Sequence, residues 1–152
     1  MEKIKSYTDL EQSKKLAKIL PIESADMTWC YNNSIKGVNY TNQSFANLRP
    51  VKEAIEVLDQ TLSGWDKQWE LIPCWSLSAL FKVIPKHIKD IPNHIKNVNV
   101  LRIDIDEKDF SIWYYEIGYG VNTVLPDITM EEPVDACVGV ILELHEIFYL
   151  FI

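Results

Sequence analysis

Apolar residues recur along the chain with two distinct periods, and each marks out elements. Leu10, Ala17 and Leu20 recur at helical spacing, with Leu16 and Ile19 widening the stripe, until Pro21 stops the run. Thr8-Asp9-Leu10-Glu11 in front of them has capping-box spacing, with Thr8 as the cap and Glu11 reaching back. Val51, Ala54, Ile55, Leu58 and Leu62 trace a second helix ended by Ser63-Gly64. Ser76 can cap a third, whose apolar face is Leu77, Leu80, Phe81 and Ile84 before Pro85. In the last helix Cys137, Val138, Ile141, Leu144, His145 and Phe148 share one side, while Glu132, Asp135, Gly139, Glu143 and Glu146 share the other. Thr129 to Glu132 repeats the capping-box spacing before it, with Pro133 in the first turn.

The period of two is clearest over 98–117. Placing Glu107-Lys108 in the loop of a hairpin opposes Ile105 to Phe110, Ile103 to Ile112 and Leu101 to Tyr114 on one face. Asp104 then meets Ser111, and Arg102 meets Trp113, on the other. A slip of one residue would mix the faces, so the sorting by polarity supports the register. Glu-Lys is not a favoured type I′ pair, so a four-residue loop through Asp106–Asp109 remains open. Asp26 to Tyr31 is short, aromatic and bounded by Asn32-Asn33, as a strand would be. Residues 32–50 hold five Asn with Gly37 and Pro50 and predict a loop, and 82–96 a Pro-punctuated connection. Trp65 to Trp75 gives no clear signal. Segregated helices and strands predict an α+β fold: about four helices packed on one small antiparallel sheet. That sheet holds the hairpin over about 98–117, a strand over about 26–31, and possibly the C-terminal tail.

At 152 residues and 47% hydrophobic, the chain is expected to form one globular domain, 1–152, with a core that needs no disulfides. Cys30, Cys74 and Cys137 are odd in number and lack CxxC pairing, which suits small core residues in a reducing compartment. The first residues hold no apolar run of leader type, and Glu143, His145 and Glu146 interrupt the stretch 138–152, so neither export nor a membrane span is expected. Asn-x-Ser/Thr matches at Asn32, Asn39 and Asn42 are what an Asn-rich loop produces by chance. A cytoplasmic location follows as the expectation.

Charge narrows the function classes. The net charge is −7, and from Asp104 to Glu146 there are 11 acidic residues and only Lys108 as a base. Tryptophans at 29, 65, 69, 75 and 113 could stack on bases, but nucleic-acid binders of that kind need a basic groove, so none is expected here. Asp104, Asp106 and Asp109 are the densest carboxylate group and could hold Mg²⁺ or Ca²⁺. Lys108 stands where a calcium loop would place a ligand, so a charged, solvated turn explains them at least as well. His87 and His94 are separated by Pro92 and surrounded by Lys82, Lys86, Lys89 and Lys96, which repel a metal. His145 falls on the apolar stripe of its helix, as a core or interface histidine does. Cys74, just ahead of the Ser76 helix start, is the one thiol with a hint of activation, since a helix N-terminus lowers a thiol pKa. No phosphate loop, nucleophile elbow, dinucleotide fingerprint or His-Glu-x-x-His occurs.

The segments Ser6 to Leu16, Glu23 to Met27, Pro73 to Leu80 and Ala136 onward through Leu144-His145-Glu146-Ile147 resemble a group of small uncharacterised proteins of gut Bacteroides-type bacteria, their phages and mobile elements. The resemblance implies a genomic setting and transfers no cofactor and no catalytic residue. Together these readings favour a non-enzymatic acidic accessory protein that binds a basic protein partner, with Asp104, Asp135, Glu143 and Glu146 on the interacting surface and no cofactor. The alternative is a small enzyme or divalent-metal binder using Asp104 and Asp106, or Cys74. Monomer and homodimer both stay open: the tail Ile147–Ile152 must either add a strand to the sheet, which its β-branched and aromatic residues favour, or bury in a second copy.

Overall fold

A computed structural model describes residues 5–32, 44–61, 69–88, 99–116 and 128–148. The fold is α+β, with two antiparallel sheets and four α-helices among the described residues. The chain divides into two compact units, Tyr7–Ala79 and Met1–Ser6 with Leu80–Ile152.

The first unit contains α1 (Leu10–Leu16), a 3-10 turn (Ile22–Ser24), β1 (Met27–Asn32), β2 (Ser44–Asn47), α2 (Val51–Thr61) and β3 (Trp69–Cys74). Its sheet runs β2-β1-β3, with β1 in the centre. Successive residues of β1 point to opposite faces, yet Met27, Thr28 and Cys30 are all buried. A strand covered on both faces loses the alternation that would announce it. α1 lies against β3, and α2 against β1 and β3. The Thr28 hydroxyl donates to the Arg49 carbonyl (2.7 Å), tying β1 to the entrance of α2. Sequence-based expectation missed two strands here. β3 carries Pro73 but is an edge strand of its sheet, where a missing N–H costs no ladder bond. β2 closes the Asn-rich stretch; residues 33–43 lie outside the described set.

The α1 cap is displaced by one residue from the expected position. Asp9, not Thr8, accepts from the Gln12 N–H (2.8 Å), and the Gln12 side chain accepts from the Asp9 N–H (3.1 Å). Thr8 is fully buried instead and joins α1 to the end of β3. Its N–H donates to the Trp75 carbonyl (2.9 Å), and the Trp75 N–H donates back to its hydroxyl (3.2 Å). The same hydroxyl meets Ser13 Oγ at 2.7 Å, and the Thr8 carbonyl accepts from Trp29 Nε1 at 2.9 Å. Trp75, also fully buried, donates from Nε1 to Ser24 Oγ (3.0 Å). Ser76 caps α3 (Leu77–Val83) as its sequence position suggests, donating to the Asp26 carboxylate from both N–H and Oγ while that Oγ accepts from the Ala79 N–H (3.2 Å).

The second unit contains β4 (His87–Ile88), β5 (Asn99–Ile105), β6 (Phe110–Glu116), β7 (Ile128–Met130) and α4 (Pro133–Phe148), with sheet order β4-β5-β6-β7. The β5–β6 register is the expected one throughout, from Leu101 opposite Tyr114 to Ile105 opposite Phe110. The strands end at those last two residues, leaving a four-residue turn in which the Asp106 N–H donates to the Asp109 carbonyl (2.9 Å). The hairpin and the 27–32 strand belong to separate sheets, not the single sheet expected. The tail Ile147–Ile152 does not begin as the expected strand: Ile147 and Phe148 complete α4, and 149–152 lie outside the described residues. Pro133 is the first residue of α4, but Thr129 does not cap it. It lies in β7 with its Oγ1 2.9 Å from Ser111 Oγ.

Phe110, Ile112 and Tyr114 alternate along β6 into a core closed by Val134, Cys137, Val138, Ile141 and Leu144 of α4. The Tyr114 hydroxyl reaches the Pro85 carbonyl (2.5 Å). α4 packs against β6 and β7, so the apolar row it covers is that of β6. At the tip, Phe110 is 5% exposed and its partner Ile105 78%.

Two outcomes test this packing. Ile112→Ala should cost about 2–5 kcal/mol in urea unfolding, because a fully buried side chain is truncated, whereas Ile105→Ala should stay within about 0.5 kcal/mol. Thr8→Val should cost about 1–3 kcal/mol, since the isosteric change leaves the buried Trp75 N–H and Ser13 hydroxyl short of a partner; Thr8→Ser should restore most of it.

Candidate functional site

The carboxylates of the second unit gather in three places, each set by an element described above. At the hairpin tip, Asp106, Glu107 and Asp109 meet Glu131 and Glu132, which precede α4, around an open cavity of about 470 Å³. Phe110 and Pro133 form its apolar wall with the exposed Ile105, and Lys108 is the cation among the described residues that line it. The Asp106 carboxylate accepts from the Glu107 N–H (2.7 Å), which fixes the turn. Glu132 accepts from the Lys5 N–H (3.0 Å).

The second place is the outward side of α4. Asp135 makes an ion pair with Lys5 Nζ at 2.7 Å, so that carboxylate is engaged within the unit. Gly139, Leu142, Glu143 and Glu146 continue along the helix and, with Ile128 and Met130 of β7, line a groove of about 510 Å³. The close approach of β7 depends on Gly139: a Cβ there would lie 3.2 Å from Ile128 Cγ2, tighter than most contacts allow.

Asp104 occupies the third place. It shares its sheet face with Arg102, Ser111 and Trp113, the face opposite the Phe110–Ile112–Tyr114 row that packs on α4. One Asp104 oxygen accepts from Trp113 Nε1 (3.0 Å), the other faces Arg102 Nε (3.4 Å), and the guanidinium lies 5.3 Å from the Trp113 ring centroid. This cluster is exposed, so its ion pair contributes little stability but holds Trp113 in place.

The four residues expected on one interacting surface are therefore divided. Glu143 and Glu146 share the groove, Asp135 is paired with Lys5 on the same helix, and Asp104 stands on the other side of the sheet. Asp106 and Asp109 share the hairpin-tip cavity without Asp104 in its lining. Among the described residues no three His, Cys, Asp or Glu side chains are grouped to hold a metal ion. The participation of Glu131, and of Met130 and Ile128 as a groove wall, was not anticipated. β7 is three residues long and follows a stretch with no sustained period, so no alternation betrayed it.

Cys74 follows the core reading of the three cysteines and not the activated one. It ends β3 fully buried, its thiol donating to the Thr8 carbonyl (3.5 Å) and accepting from the Thr8 hydroxyl (3.6 Å). Burial pushes the thiol pKa up, outweighing the lowering by the Thr8 and Ser13 hydroxyls. Ser76 directs its hydroxyl and N–H to Asp26, so the helix start is spent on that carboxylate and not on the thiol. Cys30 is likewise raised by burial, and Cys137, in the α4 core, is pushed up to about 12. His87 lies exposed in β4 opposite Val100, and His94 lies outside the described residues. No described helix is long and apolar enough to cross a membrane.

No protein family model, no curated protein and no solved structure matches this chain. The functional reading rests on the geometry above.

The raised thiols set an alkaline limit on stability. Cys137 keeps its proton in the folded state up to about pH 12, whereas an unfolded thiol ionises near 9. Its contribution is therefore complete below about pH 9 and lost as the pH climbs toward 12, because only the unfolded chain releases the proton in that window. Urea midpoints measured from pH 8 upward should fall across that window, and Cys137→Ala should flatten the fall.

Proposed function

We propose that this chain is an acidic binding protein, a cytoplasmic accessory factor of a phage or mobile element that engages a basic protein partner and does no chemistry of its own. The observation that carries the reading is the hairpin-tip cavity, where five carboxylates and one lysine surround an open space beside a 78% exposed isoleucine. Carboxylates used for acid–base work or metal binding are held by buried partners at fixed separations. These instead stand apart on an exposed turn and before a helix. A concave surface of one sign concentrates field lines and draws a basic surface in, raising association rates more than affinity.

Affinity capture with the full chain at two salt concentrations, followed by mass spectrometry, tests this reading. A basic protein should be retained at low salt and released as screening shortens the reach of the carboxylates. Its association rate with the combined variant Asp106→Asn, Glu107→Gln and Asp109→Asn should drop about tenfold with little change in dissociation. A partner held indifferently to salt, or one whose binding rate ignores the triple change, would defeat the proposal.

A further inference from the structure

The groove between β7 and α4, like the hairpin-tip cavity, sets apolar side chains beside carboxylates. Ile128, Met130 and Leu142 line it, and Met130 is 43% exposed, which leaves its flexible thioether open to a ligand. Gly139 adds no side chain to the helix surface, so backbone forms part of the wall. Glu143 and Glu146 edge the groove one helical turn apart and place two negative charges beside those apolar side chains.

We propose that this groove is a docking site for a basic peptide segment of a partner protein, one that presents an aliphatic side chain between lysines or arginines. The aliphatic group would fill the space beside Met130 and Leu142, and the flanking cations would face Glu143 and Glu146. Charge complementarity selects this occupant. A second copy of the chain is a poor fit, since its net charge of −7 opposes the two glutamates. An apolar peptide would leave both carboxylates partly desolvated without a counter-charge. This proposal deepens the acidic-binding reading and rests on it.

The chain has three methionines, so methyl-¹³C-methionine labelling of the full protein gives few, resolvable probes. Met130 reports on the groove, and the buried Met27 of the other unit is an internal control. Titration at low salt with the capped peptide Lys-Lys-Leu-Lys-Lys should move the Met130 resonance and leave Met27 in place. Replacing the central leucine by serine should weaken that response about tenfold, the loss expected for one aliphatic side chain left in water. The double variant Glu143→Gln, Glu146→Gln should also weaken it about tenfold, with the Met27 resonance unchanged as evidence of an intact fold. An unmoved Met130, an equal response to the serine peptide, or an unaffected double variant would each overturn the groove assignment. If the peptide then still binds in a salt-dependent way, followed by calorimetry, only the groove assignment fails. If no cationic peptide binds at low salt, the broader reading falls with it.

Discussion

The packing of α4 on β6 and β7 is the constraint from which the second unit follows. The helix buries Val134, Ala136, Cys137, Val138, Val140, Ile141 and Leu144 over a broad arc, and leaves Asp135, Gly139, Leu142, Glu143, His145 and Glu146 at least partly exposed. A surface helix ordinarily offers a stripe of apolar residues and leaves the larger part polar. Here the buried arc is broad, so Asp135, Glu143 and Glu146 share what remains of the helix surface. Because β6 and β7 receive the helix, the tip of β5 does not, and Ile105 projects into solvent opposite a buried Phe110. One packing decision thus produces both the exposed hairpin tip and the groove beside β7.

The first unit is organised around buried polar groups. Thr8 and Ser13 have no exposed surface, and leaving their hydroxyls unpartnered would cost more than their hydrogen bonds gain in water. The cost is offset by closure of the set. The Thr8 main chain bonds Trp75 and Trp29, its hydroxyl lies between Ser13, Cys74 and the Trp75 N–H, and the Cys74 thiol returns to the Thr8 carbonyl. Each group specifies the position of the next, which is how a buried network selects one arrangement over the many an all-apolar contact would permit. That closure also accounts for the raised thiol of Cys74. Its partners are neutral hydroxyl and carbonyl groups in a dry site, and these do not offset the burial of a thiolate.

How far the sequence disclosed this structure depended on whether a local pattern had a single physical cause. The β5–β6 register was legible residue by residue, because a slip of one residue would set Ile105 against Ser111 and Ile103 against Trp113. α4 was legible because its apolar positions exceed any chance period. β1 announced itself by its aromatics, although burial on both faces had erased its alternation. The capping boxes were half legible. Ser/Thr/Asp followed three residues later by Glu or Gln occurs at two adjacent offsets, Thr8 with Glu11 and Asp9 with Gln12, and burial of Thr8 decides between them. No local rule contains that decision. The same holds for Pro73: it argues against a strand until β3 is known to be an edge, which is a property of the sheet and not of the segment. The candidate site was legible in charge and obscure in shape. Glu143, Glu146 and Gly139 were assigned to one helix face from spacing alone, but the groove needs β7, and nothing in Ile128-Thr129-Met130 marks a strand.

Charge and shape are linked in this unit through its stability. Between Asp104 and Glu146 the chain carries 11 acidic residues and one lysine, and folding gathers most of those described at the hairpin tip and along α4. Two are offset internally, Asp135 by the Lys5 ammonium and Asp104 by Arg102. Asp106, Glu107 and Asp109 stand on one turn, and like charges so placed repel one another unless cations collect around them. Simple salt does this weakly and without geometry. A partner that places fixed cations near Asp106, Asp109, Glu143 or Glu146 relieves the same repulsion and adds apolar contact at Ile105 and Met130, so binding and stability are coupled through one set of charges. On the proposed reading, a basic partner would supply the counter-charge that these carboxylates do not find within their own unit.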